Sequence, residues 1–194
     1  DTETPMHWRF DRDFSGYNVM LMGIWYEALL RWIGPASSVT AVGQVNVKRR
    51  KDANGNINFI DIPDHLEVVC QFPPGAIGHL RFTTVTGHAP GDQIWIYGSD
   101  GTIRIDTQGV LSPDELNLDA VKIYGGTKDD DEMYPIEVTK EEKGYWRVEE
   151  EFIGAIRGQE HVVHTTFSDG VKYMEYTEAV SRSIQEQKTI HLPL

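Results

Sequence analysis

His161-Val-Val-His164 is the pair whose spacing comes nearest to metal chemistry, since two imidazoles three residues apart can share one face of a helix. No cysteine or close carboxylate completes a ligand set, and the pair follows Gly158 in a stretch that reads as loop or strand. No metal site is expected. His7 and Arg9 alternate with apolar residues in Met6-His-Trp-Arg9, as polar positions of an extended lead-in would, or as members of a site. Both readings stay open. Asp129-Asp-Asp-Glu132 lacks the alternation and the glycine of a calcium loop and reads as a solvated acidic loop. The sequence holds neither a Gly-x-Gly-x-x-Gly turn after a strand nor a P-loop, so it carries no dinucleotide fingerprint.

The surroundings of these residues are those of an ordinary soluble domain. The 194 residues suffice for one domain with a sizeable core, and 40% hydrophobic with 25% charged residues is a globular composition. A net charge of −12 repels phosphate backbones, and the one basic run, Lys48-Arg-Arg-Lys51 beside Asp52-Ala-Asn-Gly55, reads as a solvated hairpin end. Nucleic acid is not an expected partner. No apolar run is long enough to span a bilayer, so no membrane is expected as a partner either. The start, Asp1-Thr-Glu-Thr-Pro5, shows neither a basic nor an apolar signal region. The expected location is cytoplasmic, although a chain beginning mid-protein would lack a signal anyway. Cys70 is the single cysteine, inside Val68-Val-Cys-Gln-Phe72, and should be a small core residue.

The elements that must position any site can be read from periodicity. Residues Val19 to Ile33 form a helix with two apolar stripes, Met22/Tyr26/Leu29/Ile33 and Leu21/Trp25/Ala28/Trp32. Only Glu27 and Arg31 interrupt that surface, which predicts burial on most sides, with Gly34-Pro35 as the stop. Alternation predicts strands at Val39–Val47, Leu66–Phe72, Ile77–Val85, Ile94–Tyr97 and Thr102–Ile105, with shorter ones at Val121–Tyr124 and Ile136–Val138. Asn54-Gly55 and Asp100-Gly101 carry hairpin chemistry, so the sheet should be mainly antiparallel. Two helices close the chain. The first has the stripe Tyr145/Val148/Phe152/Ile156 and a cap at Gly158; the second has a cap at Ser168 and the stripe Tyr173/Tyr176/Val180/Ile184. The fold class is α+β, an open, mainly antiparallel β-sheet with helices packed on one face, in a single domain over 1–194.

Three stretches carry a family resemblance. Ser15-Gly16 leads into Leu21-Met-Gly-Ile-Trp-Tyr-Glu-Ala-Leu-Leu-Arg-Trp32; Ile94-Trp-Ile-Tyr-Gly-Ser-Asp-Gly-Thr-Ile-Arg-Ile105 is a strand, turn and strand. The end runs from Trp146-Arg-Val-Glu through Tyr173-Met-Glu-Tyr to His191-Leu-Pro-Leu194. Together they resemble the C-terminal, substrate-binding and oligomerisation domain of the Gfo/Idh/MocA oxidoreductases. The resemblance covers nearly the whole chain. It implies action on a sugar, polyol or derivative with NAD or NADP, bound mainly by an N-terminal Rossmann domain that these 194 residues do not include. It also implies a small-molecule carbohydrate ligand, a homo-oligomer joined through the sheet, and no turnover by this half alone.

The sequence departs from the family where it matters most. The family's Asp and His, four residues apart, take the hydroxyl proton as hydride leaves for the nicotinamide; the matching positions here are Leu21 and Trp25. Leucine has no ionisable group and an indole N–H only donates, so neither can be a general base. Gly23, Arg31 and Trp32 fix the register. Leu21 and Trp25 are then core residues, or Trp25 is an aromatic platform for a sugar, or another group takes the proton, with His7, Glu27 and His164 as candidates. Substrate-binding candidates are His7, Arg9, Trp25 and His164, and the catalytic residue is left unassigned. The rival function is a non-catalytic carbohydrate-binding or oligomerisation module.

Overall fold

Val39, Ala41, Leu66, Val68, Cys70 and Phe72 alternate with polar neighbours, so one face of their strands must be covered. In the computed structural model, which describes residues 3–16, 19–107, 120–139, 141–144, 147–163 and 165–194, that cover is the last helix. The chain forms two units, Asp1–Thr86 with Val148–Leu194, and Gly87–Arg147.

The first unit holds α1 (Arg12–Ser15), α2 (Met22–Ile33), β1 (Ser38–Gln44), β2 (Arg49–Lys51), β3 (Ile57–Phe59), β4 (His65–Phe72) and β5 (Ala76–Thr83). The second holds β6 (Gln93–Tyr97), β7 (Gly101–Asp106), β8 (Lys122–Thr127) and β9 (Tyr134–Ile136). Then α3 (Val148–Ile156), α4 (Phe167–Glu186) and β10 (Ile190–His191) return to the first. Strand order is β10-β1-β4-β5 in one antiparallel sheet and β6-β7-β8-β9 in the other, with β2-β3 as a separate ribbon. The strands agree with the α+β reading and its antiparallel pairing, and they are spread over two four-stranded sheets.

In the first unit α4 lies on β1, and α2 lies on α4. The stripe Tyr176, Val180 and Ile184 faces the sheet as its period predicts, with Tyr173 packed beside it. Gly43 allows the approach, since a methyl there would meet Ile184 Cδ1 at 2.9 Å. Ser183 on α4 accepts from the Ala41 N–H at 2.9 Å and donates to Lys188 O at 2.6 Å, satisfying a buried donor of β1. Tyr26 stacks on Tyr176 at 3.7 Å, and its hydroxyl accepts from the Ala36 N–H. Burial pushes the Tyr26 pKa up against the effect of that bond.

Several boundaries differ from the alternation. Strand β1 stops at Gln44, short of Val47, because the Asp64 carboxylate takes the Asn46 and Val47 N–H groups at 2.7–3.1 Å. Ser168 does not cap α4. Thr166 does, in a capping box with Asp169, whose carboxyl is held down to about 2 by bonds from Thr166 and Lys172. Arg50 is not solvated with its basic neighbours: it is buried, donates to Thr4 O at 2.7 Å and lies 4.3 Å over Phe10.

Two helices depart from the expected burial. Helix α2 is not enclosed on most sides. Met22, Gly23 and Tyr26 are buried, but Ile24 and Trp32 are about half exposed, because α2 packs against α4 along one stripe. In α3 the expected inward stripe faces out: Val148, Phe152 and Ile156 are exposed, whereas Glu151 and Gly154 are buried. The segment after the helix folds back on that polar side, with the Glu160 side chain over Gly154 and Val163 N–H toward Glu151. Tyr145, the first residue of that stripe, lies outside the described residues.

Candidate functional site

The helical part of the expected site begins at an unusual bend. Met20 and Leu21 both adopt left-handed backbone, at φ 49° and 60°, before α2 starts at Met22. Two such residues in a row without glycine are strained, and packing of Met20 against the core offsets that strain. The helix expected from Val19 therefore starts three residues later. Leu21 is its cap and Trp25 stands in its first full turn, so the two are not consecutive rungs of one helical ladder. Both are half-buried and neither belongs to the core cluster, unlike Met22 and Tyr26 on the inward stripe.

Glu27 and Arg31 sit on the outward side of α2. Arg31 Nη2 donates to Glu27 Oε1 at 2.7 Å, and Thr165 hydrogen-bonds to both, tying the helix to the lead-in of α4. Glu27 is thus an ion-paired tether, the plain reading of that position. This link has no signal in the sequence, because its partners lie 138 residues apart.

His7 and Arg9 meet in a single 3-10 turn over Trp8–Phe10, where an extended segment was one of the two readings. His7 Nδ1 accepts from the Arg9 N–H at 3.3 Å, which places the proton of the neutral ring on Nε2. The Arg9 guanidinium lies 4.3 Å over the Trp8 ring, and all three residues are exposed. The Met6 N–H to Lys51 O bond moors this turn to the β2-β3 ribbon. Among the described residues no hydrogen bond, ion pair or ring contact joins the turn to Trp25. His161 is exposed beyond α3, and His164 lies outside the described residues. Among the described residues no group of three His, Cys, Asp or Glu could hold a metal ion.

Two shallow, open depressions of about 220 Å³ lie elsewhere. One is lined by Ala155 and residues 158–162, behind α3. The other lies on the β6-β7-β8-β9 sheet, against Asp92, Gln93, Asp106, Lys122 and Tyr124. Neither takes in His7, Arg9 or Trp25. The polar and aromatic side around the second has its signal in Gln93-Ile-Trp-Ile-Tyr97, whose alternate residues share one face of the strand.

Comparison with known proteins gives this geometry a context. No curated protein matches the chain. Solved structures do: apo levoglucosan dehydrogenase aligns with all of the chain at 17% identity, TM-score 0.79, over 56% of its own length. An oxidoreductase domain protein from Kribbella flavida aligns with all of it at 20% identity, TM-score 0.78, over 55% of its length. Aldose-aldose oxidoreductase from Caulobacter crescentus, complexed with glycerol, aligns with 97% of it at 20% identity, TM-score 0.70, over 52% of its length. At these identities the likeness is one of fold, and the chain spans about half the length of the structures it matches. No described helix is long and apolar enough to cross a membrane. The family described as the GFO/IDH/MocA C-terminal domain matches residues 1–104, more than half of the 194, and the chain therefore belongs to it.

Proposed function

We propose that this chain is the substrate-binding and subunit-contact half of an NAD(P)-dependent oxidoreductase acting on a sugar, polyol or derivative. The carrying observation is that the whole chain superposes on about 55% of levoglucosan dehydrogenase, including its complexes with NADH and levoglucosan and with NADH and L-sorbose. The remaining length of such a protein is where the nucleotide would be held. The sequence has no Gly-x-Gly-x-x-Gly turn after a strand, which supports assigning the pyrophosphate cradle to that remaining length.

What this chain would contribute is a wall. Trp25 lies half-buried outside the core cluster, which supports a ring facing a ligand over a ring needed for packing. The His7–Arg9 turn supplies an exposed imidazole Nε2 and a guanidinium as hydroxyl partners. The second reading is a non-catalytic carbohydrate module, and it is supported by the two residues that the family resemblance aligns with its proton-transfer pair, since Leu21 and Trp25 cannot take a proton.

The deciding experiment uses the protein with its nucleotide-binding half, assayed for NADH or NADPH formation with anhydrosugars, aldoses and polyols. Turnover supports the oxidoreductase reading. Carbohydrate binding without turnover supports the module, and the absence of both would refute both readings. Calorimetry on the 194 residues alone should show no tight binding of NAD or NADP. A low-micromolar dissociation constant there would contradict the division of labour.

A further inference from the structure

The tip of the β2-β3 ribbon carries a reactive pair of residues that the proposed dehydrogenase role does not use. An asparagine side chain can react with the backbone nitrogen that follows it, provided its amide is unengaged and the next residue is uncrowded. Four asparagines lie among the described residues: Asn46, Asn54, Asn56 and Asn58. Three of these side chains are held. Asn46 Nδ2 donates to Asp64 Oδ1 at 2.9 Å, Asn56 Nδ2 to Asp52 Oδ2 at 3.0 Å, and Asn58 Nδ2 to Asn56 O at 3.3 Å. Valine, isoleucine and phenylalanine follow them and crowd the next nitrogen. Asn54 differs on both counts. It is exposed, its side-chain amide makes no hydrogen bond among the described residues, and Gly55 follows it with open space where a Cβ would stand.

The turn around Asn54 opposes that reaction. The attacking atom is Gly55 N, and its N–H donates to Asp52 O at 3.0 Å. Asp52 Oδ1 also accepts from the Asn54 and Asn56 N–H groups, both at 2.9 Å. The Asn56 side-chain amide holds the Asp52 carboxyl below its ordinary range, so Asp52 accepts these bonds as an anion at neutral pH. Reaction is left to the molecules in which the turn has opened.

We propose that Asn54 is a site of self-modification, converting to aspartate and isoaspartate through Gly55, with the Asp52-centred turn as the restraint on its rate. In the opened turn Gly55 N loses its proton to hydroxide and bonds to Asn54 Cγ. The Cγ–Nδ2 bond breaks, ammonia leaves, and a succinimide ring remains. Water then breaks one of the two carbonyl bonds to that nitrogen. Cleavage at Cγ restores an ordinary backbone with an aspartate side chain, and cleavage at the backbone carbonyl gives isoaspartate with an extra methylene in the main chain. The net change is one water consumed and one ammonia released. The lengthened chain cannot keep the Gly55 to Asp52 bond, so isoaspartate loosens the ribbon at its tip. None of this depends on the dehydrogenase reading, because neither carbohydrate nor nucleotide takes part.

The test follows the 194-residue chain by mass spectrometry through weeks of warm incubation at neutral and mildly alkaline pH. Trypsin cuts after Lys51 and Arg81, which puts Asn54, Asn56 and Asn58 in one peptide. Electron-transfer fragmentation then shows which of them has changed and separates isoaspartate from aspartate. Position 54 should convert first, faster at the higher pH, with isoaspartate the larger product. Asp52→Ala should speed conversion in the folded chain by about three- to tenfold, the population change that loss of such hydrogen bonds brings. In urea, where no turn forms, parent and variant should convert at equal rates, both faster than the folded parent. Circular dichroism checks folding, and the parent's own difference between buffer and urea keeps the test decisive if Asp52→Ala misfolds. A folded parent that stays unchanged at position 54 while the urea-unfolded chain converts overturns the proposal. So does earlier conversion at Asn56 or Asn58, or a folded Asp52→Ala chain that converts no faster than the parent.

Discussion

At the scale of single residues, Asp64 shows how a buried charge is made useful. Burial alone would raise its carboxyl pKa, but N–H groups of Asn46 and Val47 and the Asn46 side-chain amide hold it below 3.8. A depressed carboxylate pKa gives stability that is present above the unfolded value and lost as pH falls through the folded one. Asp64→Ala should therefore cost on the order of 3 kcal/mol at neutral pH, since it orphans buried donors of a charged hydrogen-bond set. Urea titration should show the gap between variant and parent closing as pH falls below the ordinary carboxylate range, toward the lowered pKa of the folded state. Trp25 is the contrasting residue, because its position argues for a ligand. Trp25→Ala in the protein with both halves should weaken carbohydrate binding while leaving the melting midpoint nearly unchanged. A loss of about 3–5 kcal/mol of stability, the scale for truncating a sealed Trp, would return that ring to the core.

At the scale of elements, α4 is the piece most fully written in the sequence and α3 the least. The α4 stripe Tyr173/Tyr176/Val180/Ile184 faces the core because a sheet lies in front of it, as its period implies. Its cap stands two residues before the expected one, since Thr166 with Asp169 closes a reciprocal box that Ser168 cannot. Thr166→Ala should cost about 1 kcal/mol. Hydrogen exchange should place that loss in the first turn of α4, with the Tyr176–Val180 amides affected far less. In α3 the same periodicity points the wrong way. Period tells which residues share a face, whereas the segment after α3, folded over Glu151 and Gly154, decides which face is covered. The bend at Met20 and Leu21 is likewise illegible, because neither residue type favours left-handed backbone. The candidate site divides in the same way. The sequence marks His7, Arg9 and Trp25, but a 3-10 turn and a shifted helix start govern where they stand.

At the scale of the whole molecule, a chain of net charge −12 can meet a copy of itself only where its surface is locally neutral. The open face of β1, β4 and β5 meets that condition. Its one acid, Glu67, is held by Arg81 Nε at 3.2 Å and His79 Nε2 at 2.9 Å, with His65 Nε2 at 3.4 Å. Around that cluster Val42, Val69 and Ile77 are 70%, 45% and 74% exposed, apolar side chains on the side away from α4. Apolar exposure around a self-paired charge cluster is the composition of a contact between identical surfaces. We expect a dimer or tetramer through this sheet. Ile77→Glu should shift sedimentation toward monomer while leaving the circular dichroism spectrum intact, because Ile77 contributes nothing to the core cluster. The unaltered chain running as a monomer at high micromolar concentration would refute this use of the face. So would an oligomer indifferent to a carboxylate at position 77, because a carboxylate buried there without a partner would be strongly disfavoured.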